Sequence, residues 1–212
     1  MSGVELEGVE RWARQELERK NAAREQVLRW SRDLVRACAT SIRAVHRRDF
    51  LAAEDLLVEA NRLNAEICST LAGLGDLYWT GYVQDAQKEL VEACATLALV
   101  KAEPLPDPVQ LGIAPGPFLN GLAEAVGELR RYVLDMLRRG EADGCERLLQ
   151  SMDDIYSLLV TIDYPDALTG GLRRTTDSTR GILEKTRGDL TLALRQDALR
   201  EALQAVERAA QR

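Results

Sequence analysis

Apolar residues recur every three to four positions through most of the chain, and no stretch alternates as a strand would. From Glu7 to about Arg48 one amphipathic pattern sets Val27, Trp30, Leu34, Cys38, Ile42 and Val45 on a single face, which predicts a very long first helix. A second helix, Asp49 to Leu71, turns Leu56, Leu57, Leu63 and Ile67 inward and breaks at Gly73-Leu74-Gly75-Asp76. Asp76 is placed to cap a third helix over about 77–101. The proline-containing segment 102–116 reads as a loop long enough to cross over a bundle. Two helices follow, about 116–139 ended by Gly140, and about 141–162 stopped by Asp163-Tyr164-Pro165. A sixth starts near Asp166 or after Gly170-Gly171 and runs to about Thr186, and a seventh covers about 188–210. The expectation is an all-α, single-domain bundle of about seven helices spanning 1–212. Its first helix is too long for one small bundle to cover, so it needs a large bundle or another subunit.

Composition narrows the function classes. The four cysteines, Cys38, Cys68, Cys94 and Cys145, lie far apart in apolar segments and form no Cys-x-x-Cys, so they read as small core residues. A single histidine, His46, excludes a two-histidine metal motif, and no Gly-x-Ser-x-Gly elbow accompanies it. The acidic N-terminus and the lack of a long apolar run predict a cytoplasmic protein with no membrane partner. Net charge is −6, against nonspecific attraction to nucleic acid, yet 24 of the 28 basic residues are arginine, the side chain suited to bidentate phosphate contacts.

Two patterns carry candidate chemistry. Glu89 and Glu92 lie one turn apart on the third helix, and Glu124 and Glu128 repeat the arrangement on the fourth, so four carboxylates converge if those helices are neighbours. On the first helix Arg29, Arg32, Arg36, Arg43 and Arg47 form a stripe, at steps of three, four, seven and four, opposite the apolar face. At about 1.5 Å per residue the stripe extends roughly 27 Å, the scale of a backbone track of several nucleotides. Lys101, Arg130, Arg131, Arg173 and Arg174 are further candidates for phosphate contact. Periodicity alone also allows the plainer reading, in which both acidic pairs and the arginines are solvated helix faces.

Three blocks in order resemble the translin family, and more closely the branch of the translin-associated factor X. Residues 24–34, beginning Arg24-Glu25-Gln26-Val27, with Ile42 and His46-Arg47 at the right distance, are similar to the family's first-helix signature. The segment Lys88 to Lys101 is similar to its central Glu-x-x-Glu-Ala block, and Pro115 to Arg131 to its third signature. The resemblance implies an all-helical protein that assembles into a closed, octamer-like homo-oligomer, alone or with a second family subunit. The implied ligand is RNA, with single-stranded DNA as a second candidate. The factor X branch implies a Mg²⁺- or Mn²⁺-dependent endoribonuclease whose carboxylates match Glu89, Glu92 and Glu128. Glu124 stands where that branch usually has aspartate, which keeps the charge and adds a methylene.

Carboxylates holding Mg²⁺ or Mn²⁺ can hydrolyse a phosphodiester without histidine. Glu89, Glu92 and Glu128 are then ligands, Glu124 a ligand or the group orienting the water, and Arg131 a neutraliser of phosphate charge. The alternative is a non-catalytic, translin-like nucleic-acid-binding oligomer, and a third is a helical scaffold without nucleic acid.

Overall fold

The computed structural model describes residues 6–210, and every regular element among them is a helix. In order these are α1 (Leu6–His46), α2 (Phe50–Thr70), α3 (Gly75–Tyr78), α4 (Gly81–Lys101), α5 (Pro108–Leu111), α6 (Pro115–Arg138), α7 (Cys145–Val160), α8 (Asp166–Thr169) and α9 (Leu172–Ala210). α1 packs on α2 and α4, α4 on α6, and α6 on α7 and α9. Contacts along the pairs set the directions. The Ser41 hydroxyl donates to the Ala53 carbonyl near one end of α1 and α2, Lys101 meets Glu54, and Arg130 meets Asp189. Thus α1, α4, α6 and α9 run one way, and α2 and α7 run back.

The connection from α4 to α6 joins parallel neighbours and therefore crosses the length of the bundle, as the long proline-containing segment predicts. A buried polar network straps it down: Asn64 Nδ2 donates to the Leu111 carbonyl at 2.7 Å, and Gln87 Nε2 donates to Asn64 Oδ1 at 3.2 Å. Asn64→Ala orphans both groups and should cost about 1–3 kcal/mol. Thermal unfolding checks this, together with faster amide exchange in 102–114 than in α6.

Three expectations need correction. Residues 172–210 are one helix, with no break near Gly188. A side chain at Gly188 would meet nothing within 4 Å, so this is an exposed helical glycine that costs about 1 kcal/mol without breaking the helix. Asp76 lies inside the short α3, and its carboxylate accepts from Lys20 Nζ at 2.8 Å instead of capping α4, which starts after Thr80. Glu89 and Glu92 do not lie on a solvated face of α4 either, since both are half-buried while Asp85 is exposed. The helix is buried against α1, α2 and α6, with Gln87, Val91 and Thr96 enclosed as well as Leu90.

The two long helices overshoot the bundle. The first buried side chain of α1 is Val27 and the last of α9 is Leu190. The overhangs leave Leu6, Val9, Trp12 and Leu17 exposed on α1, and Leu192, Leu199, Leu203 and Val206 on α9. The four cysteines are free thiols. Cys38 and Cys145 are buried, whereas Cys68 and Cys94 are half-buried, and burial pushes the Cys94 thiol up to about 11.

Candidate metal and nucleic-acid site

Close approach of α4 and α6 builds the acidic site, and a glycine permits it. A Cβ at Gly121 would lie 2.6 Å from the Lys88 carbonyl oxygen and 2.7 Å from Val91 Cβ, so the helices meet there backbone to backbone. One turn further along α6, Glu124 faces Glu89 and Glu92, and each of the three can offer one oxygen with all of these within 4.8 Å of one another.

Partial burial puts these like charges in a medium that screens them poorly. The Glu92 carboxyl is pushed up to about 8, first by burial and then by Glu89, Glu124 and Glu128. Glu89 is raised as well, again by burial and then by Glu124. Lys88 Nζ lies 2.7 Å from Glu124 Oε1 and is the one lysine at the cluster. Three oxygen donors with too little positive charge among them suit a hard divalent cation such as Mg²⁺ or Mn²⁺, so the residues present fit the implied ion.

Glu128 is held apart from this trio. Its Oε2 accepts from His46 Nε2 at 2.5 Å, and Arg131 stands 3.8 Å away. The His46 hydrogen bond holds the Glu128 carboxyl below its usual range. His46 is 6% exposed and comes from the end of α1, 82 residues earlier in sequence. The lone histidine is thus a positioning group for a carboxylate. Its place one turn beyond Ile42 on the apolar face of α1 signals burial but not its partner. Lys88, directly before Glu89, is a second participant that spacing alone does not single out.

The candidate phosphate contacts divide. Arg29, Arg32, Arg36, Arg43 and Arg47 are all exposed. At 100° per residue Arg32 and Arg43 lie within about 60° of His46 around α1, toward the carboxylate face, whereas Arg29, Arg36 and Arg47 turn about 80–100° from it. Arg36 lines a groove against α2 and pairs with Asp33. Lys101 is tied to Glu54 and Glu103, and Arg130 to Asp189 and Thr186, so both act within the bundle. Arg131 keeps its guanidinium near Glu128.

Two grooves meet at Glu124. One, of about 380 Å³, runs between α6 and α9 and is lined by Glu92, Glu124, Arg174, Thr175 and Ser178. Among the described residues the Arg174 side chain makes no ion pair or hydrogen bond, and it forms a wall opposite the carboxylates. Arg173 instead pairs with Asp163. The second groove, of about 460 Å³, leads from Glu124 and Lys88 past Asn120 to Gln84, Asp85 and Trp79.

No family model matches the chain. Uncharacterized protein MJ0175 of Methanocaldococcus jannaschii is 33% identical over 194 residues, which cover 90% of this chain and 85% of that protein. The crystal structure of AfC3PO superposes with a TM-score of 0.80 at 35% identity, covering 86% of this chain and 95% of the other. The AfC3PO–duplex RNA complex superposes with a TM-score of 0.70 at 34% identity over the same shares. Apo-NeC3PO, at 20% identity, has the same fold, with a TM-score of 0.77 over 91% of this chain and 100% of its own.

Proposed function

This chain belongs to the translin family, the family of the C3PO-type structures, and on that premise we propose that it is a metal-dependent endoribonuclease of the factor X type, acting on RNA held by a homo-oligomer. The carrying observation is the trio Glu89, Glu92 and Glu124, which can offer three oxygens to one ion; burial, and then mutual repulsion, raises two of its carboxyls. The AfC3PO complex with duplex RNA supports the substrate class. The overhanging apolar stripes of α1 and α9 support self-assembly, because a lone chain leaves them in water.

Glu89, Glu92 and Glu124 would hold Mg²⁺ or Mn²⁺. Such an ion, when bound, supplies Lewis acidity at a phosphate oxygen and a water of lowered pKa. The chain's own residues do the rest. Lys88 holds Glu124 in the site through their ion pair, and with an ion on Glu124 it would be free to contact phosphate. Arg174, across the groove, contacts non-bridging phosphate oxygens and offsets the charge that grows on them. Glu128, fixed by His46, stands beside the trio as a preset carboxylate able to accept a proton or a water hydrogen bond. Arg32 and Arg43 extend the contact along α1 through phosphates, so binding should be weakly sequence-specific and should weaken with salt.

One observation favours the non-catalytic alternative. Lys88 already neutralises Glu124, as it would in an RNA-binding protein that never takes up an ion. Incubation of the purified protein with labelled RNA in Mg²⁺, in Mn²⁺ and in EDTA separates the two. The nuclease reading expects cleavage only with the ions, and Arg174→Ala should slow it about ten- to a hundredfold through a lost charge-assisted contact of about 1.5–3 kcal/mol. RNA binding with no cleavage under either ion would leave the non-catalytic oligomer.

A further inference from the structure

We propose that the groove running from the carboxylate trio to Trp79 is a nucleobase subsite, in which the base of a nucleotide next to the scissile phosphate stacks on the Trp79 indole. The proposal rests on the RNA-cleaving reading of the trio for its register, and on the groove itself for its chemistry.

Trp79 ends α3 and is 64% exposed. It is nonetheless held on one side. The Tyr78 ring stands edge-on to it, with centroids 5.1 Å apart at 89°. The Tyr78 hydroxyl lies 3.3 Å from Gln87 Oε1 and 3.4 Å from the Gly112 carbonyl oxygen, both on elements strapped to the bundle. The Gln84 amide adds a brace by donating to the Tyr78 carbonyl at 2.9 Å. A large aromatic face is therefore presented to solvent on a fixed support, the arrangement that makes stacking inexpensive in entropy.

The groove's lining identifies its occupant. The groove is lined by Lys88 and Glu124, where a phosphate would sit, by Gln84 and Asp85 about one turn back along α4, by the Trp79 ring just before that helix begins, and by Pro117, Ala167 and Leu168. An apolar helix from another protein would bury Lys88 and Asp85 against hydrocarbon at a desolvation cost. Among the described residues Lys88 is the one cation in the groove's lining, set against Glu124 and Asp85. A nucleotide offers a phosphate to this lysine and a π-face to the Trp79 ring, so the lysine–indole pair and continuity with the trio select RNA. A base paired inside a duplex has both faces covered by its neighbours. Trp79 therefore engages a nucleotide that is unpaired, at a strand end or in a gap, and so determines where along an RNA the cut falls.

The test is equilibrium binding in EDTA, where no cleavage can confuse the readout, by anisotropy of a short labelled single-stranded RNA and of an abasic strand of equal length. Trp79→Ala should weaken binding of the ordinary RNA by about tenfold or more, and leave the abasic strand unaffected. Trp79→Phe, which still stacks, should retain most of the affinity. Because Trp79 is largely exposed, circular dichroism and light scattering should show the same fold and assembly mass for all three proteins. Equal affinities for parent and Trp79→Ala, an equal loss on the abasic strand, or a change in assembly mass would each overturn the subsite. Cleavage assayed separately keeps the two proposals apart. Trp79-dependent binding without metal-dependent cleavage keeps the subsite and removes the nuclease, and the reverse pattern keeps the nuclease and removes the subsite.

Discussion

Glu92→Gln is expected to lose divalent-ion binding, and with it at least about a hundredfold in cleavage rate, since even partners outside the ligand shell cost 10–100-fold. Calorimetric titration with Mn²⁺ checks the first part. The pH dependence tests the cause. With its carboxyl pushed up to about 8 in the ion-free protein, Glu92 keeps its proton at neutral pH and must give it up to ligate. Parent affinity for Mn²⁺ should rise about tenfold per pH unit toward pH 8 and then level off. Stability of the ion-free protein should move the opposite way. A carboxyl whose folded-state pKa lies above its ordinary 4.5 binds its proton more tightly folded than unfolded. Its contribution is complete below about 4.5 and is lost as pH rises through about 8, where the folded chain must hold a third like charge. Glu92→Gln removes that loss, so above pH 8 the metal-free variant should melt higher than the parent. A flat affinity profile, or a variant that still binds Mn²⁺, would contradict the assignment.

Gly121→Ala should damage the site without touching a ligand. A Cβ there meets a main-chain carbonyl at 2.6 Å, which cannot rotate away, so α6 must move off α4 and carry Glu124 with it. Overpacking costs about 1–3 kcal/mol or more, while replacing a helical glycine by alanine returns about 1 kcal/mol. The clash wins because it lies against backbone, and the net loss of about 2 kcal/mol should lower Tm by about 4–8 °C. The Mn²⁺ affinity should fall with it. Gly127→Ala on the same helix is the control: nothing lies within 4 Å of its Cβ position, so it should leave stability unchanged or raise it. If Gly121→Ala melts with Gly127→Ala and binds Mn²⁺ as the parent does, the close approach is not what builds the site.

Much of this architecture is legible in the sequence because it is local. The spans of α1, α2, α4 and α6 follow from their apolar period and from the proline-containing crossover. The pairs Glu89–Glu92 and Glu124–Glu128 are likewise visible as one-turn spacings, and the resemblance to the translin family marks them out among 34 acidic residues. What spacing cannot show is where each side chain finds its partner. Glu124 joins Glu89 and Glu92, while Glu128, four residues on, is drawn to a histidine on α1. Nor does periodicity reveal that α4 is enclosed on nearly every side, which turns an apparent surface pair into the half-buried carboxylates whose proton affinity is raised. Gly188 misled for a related reason. A glycine breaks a helix only where the rest of the helix lacks support, and α9 is carried past it by packing on α6 and α7.

The most direct measurement is single-turnover cleavage of a labelled RNA in Mn²⁺ by the parent protein and by Glu89→Ala, with RNA affinity of both measured in EDTA. The account predicts cleavage by the parent alone and equal affinities. Cleavage that survives in Glu89→Ala would contradict it.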